Sequence, residues 1–210
     1  MMQIPWAPLL CVALSLPLLG CASATADRAP MAARSGSSAL VKLLTPAGAS
    51  AGQAVLTTVP DGVEIVVRAE GLTPGLHGLH IHQNGRCAPA PDANGTQVAF
   101  GAAGGHFDVT GAGRHGHPEQ AGPQHAGDLP NLQADPEGRA SLRYTSPRIT
   151  LQSGGGNSVL GRALVVHATA DDYQSQPAGN SGGRVLCGVI EPAWLDAVVG
   201  SAGGARHLQR

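Results

Sequence analysis

His80-Ile81-His82 places the strongest constraint on how this chain can fold. In an extended strand successive side chains point to opposite faces, so both imidazoles project from one face, about 7 Å apart. Such a pair awaits further ligands, and the chain supplies them downstream. His106, His115, His125 and Asp128 fall in one glycine- and proline-rich stretch, where loops can turn several side chains inward. His167 ends the hydrophobic run Ala163-Leu164-Val165-Val166, where a strand would deliver it to a site. Six histidines and one carboxylate are enough for two transition-metal ions sharing a wall. Imidazole suits copper and zinc, and a carboxylate oxygen suits zinc better than copper.

The rest of the chain reads as all-β. With 30 Gly, 16 Pro and only 3% aromatic residues in 210, the composition favours a loop-rich strand protein, because glycine and proline punctuate strands and weaken helices. Ala54 to Val59 and Val63 to Ala69 are β-type runs joined at Pro60-Asp61-Gly62, a hairpin signal. In the second run Val63, Ile65, Val67 and Ala69 share one face, and Glu64, Arg68 and Glu70 the other. Further strands are expected at Leu76 to His82, Ala140 to Tyr144, Arg148 to Leu151, Leu160 to His167 and Arg184 to Ile190. No segment before residue 190 combines helical periodicity with caps. The formal charge of −1 leaves no basic footprint, so nucleic acid is excluded as a partner.

Gly78-Leu79-His80-Ile81-His82 and the segment from Gly179 to Ile190, GNSGGRVLCGVI, resemble the two signature segments of the copper/zinc superoxide dismutases. Gly104-Gly105-His106-Phe107-Asp108, Arg114-His115, His125-Ala126-Gly127-Asp128 and Gly161 to His167 lie between them in the family's order. The resemblance runs from about Ala39 to Pro192. It implies an eight-stranded Greek-key β-sandwich or flattened barrel with two long loops, Asn84 to Asn131 and Ala168 to Gly183.

The resemblance also implies roles. Copper takes His80, His82, His106 and His167; zinc takes His106, His115, His125 and Asp128. The shared His106 must offer both ring nitrogens, which two adjacent dications make possible by stabilising the imidazolate. Asp171 corresponds to the carboxylate that orients His80 and His115. Arg184 corresponds to the guanidinium beside the copper that docks a small anion. The implied reaction is a two-step disproportionation of superoxide to O2 and H2O2. His117, two residues from His115 in the same loop, is the competing zinc ligand, although Pro118 aligns best with His115. Leu79 and Arg86 stand where the family more often has an aromatic and a small or acidic residue; both flank ligands without replacing one. A copper store on the same scaffold is the alternative function, and the presence of Arg184 and His106 argues against it.

Leu9 to Gly20 has the length of a secretory apolar core and is too short to span a bilayer. It ends in Leu18-Leu19-Gly20-Cys21, which resembles the lipobox of bacterial lipoproteins, although Met1 to Gly20 contain no Lys or Arg. Cys21 is therefore the expected lipidation site and membrane tether, in the periplasm or cell envelope; ordinary cleavage after a small residue such as Ala24 is the alternative. Cys11 lies in the leader, which leaves Cys87 and Cys187 as an even pair, joined in an oxidising compartment or left as two buried thiols. The expected organisation is a leader over 1–20, a tether over 21–38, the enzyme domain over 39–192 and a tail over 193–210. Monomer and homodimer both remain open.

Overall fold

The computed structural model describes residues 37–193 apart from 93 and 112. The leader, Cys21, most of the tether, and the tail beyond Ala193 with His207 lie outside the described residues.

Twelve strands follow in order: β1 (Ser38–Leu44), β2 (Ser50–Val59), β3 (Gly62–Ala69), β4 (Gly75–His77), β5 (Leu79–His82), β6 (Ala90–Pro91), β7 (Gln97–Val98), β8 (Leu132–Ala134), β9 (Ala140–Ser146), β10 (Ala163–His167), β11 (Arg184–Val189) and β12 (Glu191–Pro192). The alternation drives the central hairpin. Val63, Ile65, Val67 and Ala69 are all buried, and they pair across to Ala54, Leu56 and their neighbours on β2. Pro60 and Asp61 form the two-residue turn, with Val59 opposite Gly62.

The main sheet runs β4-β8-β9-β3-β2-β1-β11-β10-β5. Its two ends are consecutive pieces of one segment, Gly75 to His82, which bends at Gly78. β4 pairs with β8 on one side and β5 with β10 on the other, so this single bent strand closes the barrel. Taking it as one strand, the barrel has eight. The links from β3 to β4 and from β9 to β10 pass over neighbouring strands, as Greek-key connections do. Gly78 suits the bend, because a side-chain carbon there would press on Ser181 and the His80 ring. β12 adds to β1, and β6 with β7 makes a small hairpin in the first long loop. Among the described residues the one helical element is a 3-10 turn, Gly101–Ala103.

One expected strand is absent. In Arg148 to Leu151 only Thr150 makes a bridge, to Ser158, while Ile149 and Leu151 point into the core. Their apolar character comes from plugging the barrel, not from belonging to its wall. The run Leu160 to His167 is likewise strand only from Ala163.

The two faces of β5, β10 and β11 do different work. Leu79, Ile81, Leu164, Val166 and Leu186 pack into the interior core. Ala163, Val165 and Cys187 face outward and meet Phe100 and Ala103 from the first long loop. His80 lies opposite Val165 and His82 opposite Ala163 in the register, so the histidine pair shares this outward face. The metal ligands therefore sit outside the barrel wall, roofed by loops.

Candidate metal centre

Backbone pairing brings the loop ligands to the strand. Ile81 N–H donates to Gly127 O (2.8 Å), and Ile81 O accepts from Phe107 N–H (2.8 Å). His80 is thereby bridged to Asp128 and His82 to His106. The first loop thus runs along the free edge of β5. His167 arrives from the next strand, its N–H donating to Gly78 O (2.8 Å).

Most of the imidazoles have one nitrogen tied down. His80 Nε2 donates to Asp171 Oδ2 (2.8 Å), His82 Nδ1 to Gly104 O (2.9 Å), and His167 Nδ1 to Gly182 O (3.2 Å). The remaining nitrogens converge: His82 Nε2 and His167 Nε2 lie 3.3 Å apart, and the buried His80 Nδ1 and His106 Nε2 have no hydrogen-bond partner. His80, His82, His106 and His167 can each offer a ligand atom within 4.8 Å of the others. Orphaned buried nitrogens are costly unless something occupies the point they surround. The donor set fits a copper ion.

A second group surrounds Asp128 Oδ1. His106 Nδ1 lies 2.8 Å from it, His115 Nδ1 3.1 Å and His125 Nδ1 3.4 Å. Those separations approach the edge of a tetrahedron whose centre lies about 2.0–2.1 Å from each nitrogen, which is zinc geometry. His80 also has a ring nitrogen within 4.8 Å of ligand atoms of His106, His115 and Asp128. That follows from its ring stacking on His106 (centroids 3.9 Å apart). His125 faces this group with a buried Nδ1 that makes no hydrogen bond, whereas His80 spends Nε2 on Asp171. His106 alone turns one nitrogen to each group.

The electrostatics follow from burial. His80 is pushed down to about 3 and His167 to about 4, first by desolvation and then by the competing charge of neighbouring histidines, with Arg184 adding to it at His167; His82 also falls far below 6.5. These rings stay neutral, as metal ligands must. His115 goes the other way. Burial lowers it, but hydrogen bonds to Asp128 and Asp171 outweigh that and raise it to about 9. Burial raises both carboxyls too, yet the histidine hydrogen bonds win and hold Asp128 and Asp171 well below the ordinary carboxylate range. Without metal, His115 is an imidazolium between two carboxylates, since its Nε2 donates to Asp171 Oδ1 (2.8 Å). Gly179 leaves room for that bond: its φ is +62°, and a side-chain carbon there would fall on Asp171 Oδ1.

Arg184 donates from Nη1 to Phe100 O (2.7 Å) and from Nη2 to Gly104 O (2.6 Å). Gly104 O also accepts from His82 Nδ1, so the guanidinium and this imidazole share one acceptor. Its charge contributes to lowering both His82 and His167. Cys87 and Cys187 form a disulfide with Cα atoms 5.7 Å apart, tying the start of the first loop to β11.

All the expected site residues within the described region therefore meet. His117 does not; its ring rests on Tyr173 (4.5 Å) and its Nδ1 accepts from Glu119 N–H (3.3 Å). His77 is also apart, with both ring nitrogens at 2.7 Å from carbonyl oxygens of Thr73 and His167. Leu79 fills the core as an aromatic would, and Arg86 is exposed. Sequence reasoning missed Asn131, whose Nδ2 donates to Asp171 O (2.9 Å) and whose Oδ1 accepts from Asp171 N–H (2.8 Å). It also missed Arg162, whose guanidinium lies 3.5 Å over the Phe107 ring and donates to Gln83 O (2.8 Å). Neither residue carries a spacing or charge pattern that would single it out.

Two imidazole clusters sharing one ring, on the outer wall of a Greek-key barrel, define a two-metal redox centre of copper/zinc type. The family model for copper/zinc superoxide dismutase (SODC) matches residues 50–190. A superoxide dismutase [Cu-Zn] of Deinococcus radiodurans is 42% identical over 185 residues, 88% of this chain and 94% of that protein. The Cu/Zn superoxide dismutase structure from Brucella abortus superposes with a TM-score of 0.65 at 38% identity, covering 73% of this chain and 99% of that one. A SOD-like protein from Bacillus subtilis superposes with a TM-score of 0.61 at 34% identity, covering 72% and 97%. The chain belongs to the copper/zinc superoxide dismutase family. Its reaction is the disproportionation of superoxide to O2 and H2O2, with copper and zinc as cofactors.

Proposed function

We propose that His80, His82, His106 and His167 hold the copper of this dismutase, that His106, His115, His125 and Asp128 hold the zinc, and that Arg184 docks superoxide. The observation carrying this is His106, which directs Nδ1 to the Asp128 group and an unpartnered Nε2 to the other. When bound, copper supplies one-electron redox chemistry, accepting an electron from one superoxide and giving it to a second, while zinc is redox-inert.

The chain's own residues do the rest. Arg184 presents a permanent positive charge fixed by two carbonyls, so a small anion is favoured over neutral molecules. His106 Nε2 can hold a proton when its lone pair is free and hand it to the departing peroxide. Each cycle consumes two superoxides and two protons and yields one O2 and one H2O2. Asp171 fixes the tautomers of His80 and His115 together, and Asn131 fixes Asp171.

The domain organisation is part of the same reading: an export leader over 1–20, a tether from a lipidated Cys21 to residue 38, the enzyme over 39–192 and a tail after it. Support comes from Leu18-Leu19-Gly20-Cys21 and from the disulfide, which persists in oxidising compartments. Location in the periplasm or envelope follows. Cys21→Ser should abolish incorporation of a labelled fatty acid and release the enzyme from the membrane fraction.

The functional test is superoxide decay by pulse radiolysis on the copper- and zinc-loaded chain beside His167→Ala. Fast second-order decay that collapses in the variant supports the assignment. Tight metal binding with decay no faster than the variant's would leave a copper-handling protein.

A further inference from the structure

The first long loop offers two histidines at near-equivalent positions, His115 and His117, and only one can complete the Asp128 group. Little sheet structure holds this stretch in register. Gly113, at φ +62°, precedes it and Gly116 separates the two histidines; among the described residues its one ladder contact is the bridge of Arg114 to Gln124. A two-residue slip would present His117 in place of His115 with the same facing.

One side chain from the opposite loop opposes that slip. Gln176 Oε1 accepts from His115 N–H (2.8 Å), and Gln176 Nε2 donates to His115 O (2.9 Å). A single carboxamide thus satisfies both backbone groups of His115, as one rung of a sheet would. Resting on the zinc assignment above, we propose that Gln176 is the positioning residue that selects His115 over His117 as zinc ligand.

Gln176 acts on the His115 backbone and Asp171 on its ring, while Asp128 meets the ring and also accepts from Gly116 N–H (3.1 Å), so replacing Gln176 leaves both ring contacts in place. Supporting residues that orient a ligand are worth about 10- to 100-fold in metal affinity. Gln176 is exposed, so its replacement leaves the core untouched.

The test uses the metal-depleted, disulfide-intact protein, titrated with zinc against a competing chelator and with Co(II) as a visible-absorption probe. Gln176→Met keeps the side-chain volume and removes both hydrogen bonds; it is expected to weaken zinc binding about 10- to 100-fold and to alter the Co(II) band. Gln176→Glu keeps the acceptor for His115 N–H and should recover part of the loss. His117→Ala should change nothing in the parent protein but weaken zinc binding further in Gln176→Met, where His117 competes. Wild-type affinity with an unchanged Co(II) band in Gln176→Met overturns the proposal. Full zinc binding by His115→Ala would instead overturn the ligand assignment beneath it.

Discussion

Asp171 shows how much one residue can organise. Its side chain is buried, and its two oxygens hold His80 at 2.8 Å and His115 at 2.8 Å, the rings proposed to bind different metals. Asp171→Asn removes one of the two carboxylate charges that, with Asp128, keep His115 raised, and it can accept on only one oxygen. Zinc affinity should fall about 10- to 100-fold while the copper-side histidines stay assembled, which chelator competition for each metal will show. Arg184→Ala removes the docking charge without touching a ligand. Its catalytic rate constant should fall at least about tenfold, the scale of a hydrogen bond to a charged group, with metal content unchanged. The histidines also set the pH response of the metal-free protein. His80 at about 3 and His167 at about 4 are depressed from 6.5, so the unfolded chain binds more protons below 6.5; their stability is present above that pH and lost as it falls towards 4. His115, raised to about 9, contributes fully below 6.5 and loses its contribution as pH rises through 9. Urea unfolding of the metal-free protein should therefore peak in stability near pH 6.5; a monotonic rise to pH 9 would contradict the His115 environment.

The first long loop depends on the disulfide at its base. Cys87 and Cys187 are 100 residues apart, and the loop entered at Cys87 carries Phe100 and Gly104, whose carbonyls grip Arg184. Cys87→Ser should cost about 2–5 kcal/mol in urea unfolding, and the superoxide rate should fall as well, because Arg184 loses fixed acceptors. Much of this architecture was legible in the residues. Val63 to Ala69 alternate cleanly because one face is core and the other solvent, and the order of the histidines named the side chains that the fold brings together. Arg148 to Leu151 misled, since Ile149 and Leu151 are apolar for filling the barrel, and composition alone does not separate plug from wall. Asn131, Gln176 and the Gly104 carbonyl escaped for another reason. Their work is hydrogen bonding across loops far apart in sequence, and a carboxamide or a peptide oxygen in a glycine-rich stretch looks like any other.

Across the whole molecule the charges nearly cancel, with 13 Lys and Arg against 14 Asp and Glu. If Arg184 docks the anion as proposed, guidance of superoxide rests on its local field, with Arg114 one residue before His115. Raising ionic strength from 0.01 M to 0.15 M shortens the screening length from about 30 Å to about 8 Å, yet the rate should fall well short of the ten- to thousandfold loss that strong long-range steering gives. A steep decline in stopped-flow or radiolysis rates would show a wider positive field than these residues make. One last consequence belongs to the bent segment Gly75 to His82, which joins both ends of the sheet and bears two of the copper-side histidines. Among the described residues, a sheet whose two ends meet in one bent segment presents less unpaired backbone for a neighbour to add to than an open sheet would. The same short stretch that presents His80 and His82 thus also joins the two ends of the sheet, so the histidine pair and the closure of the wall share a single stretch of backbone.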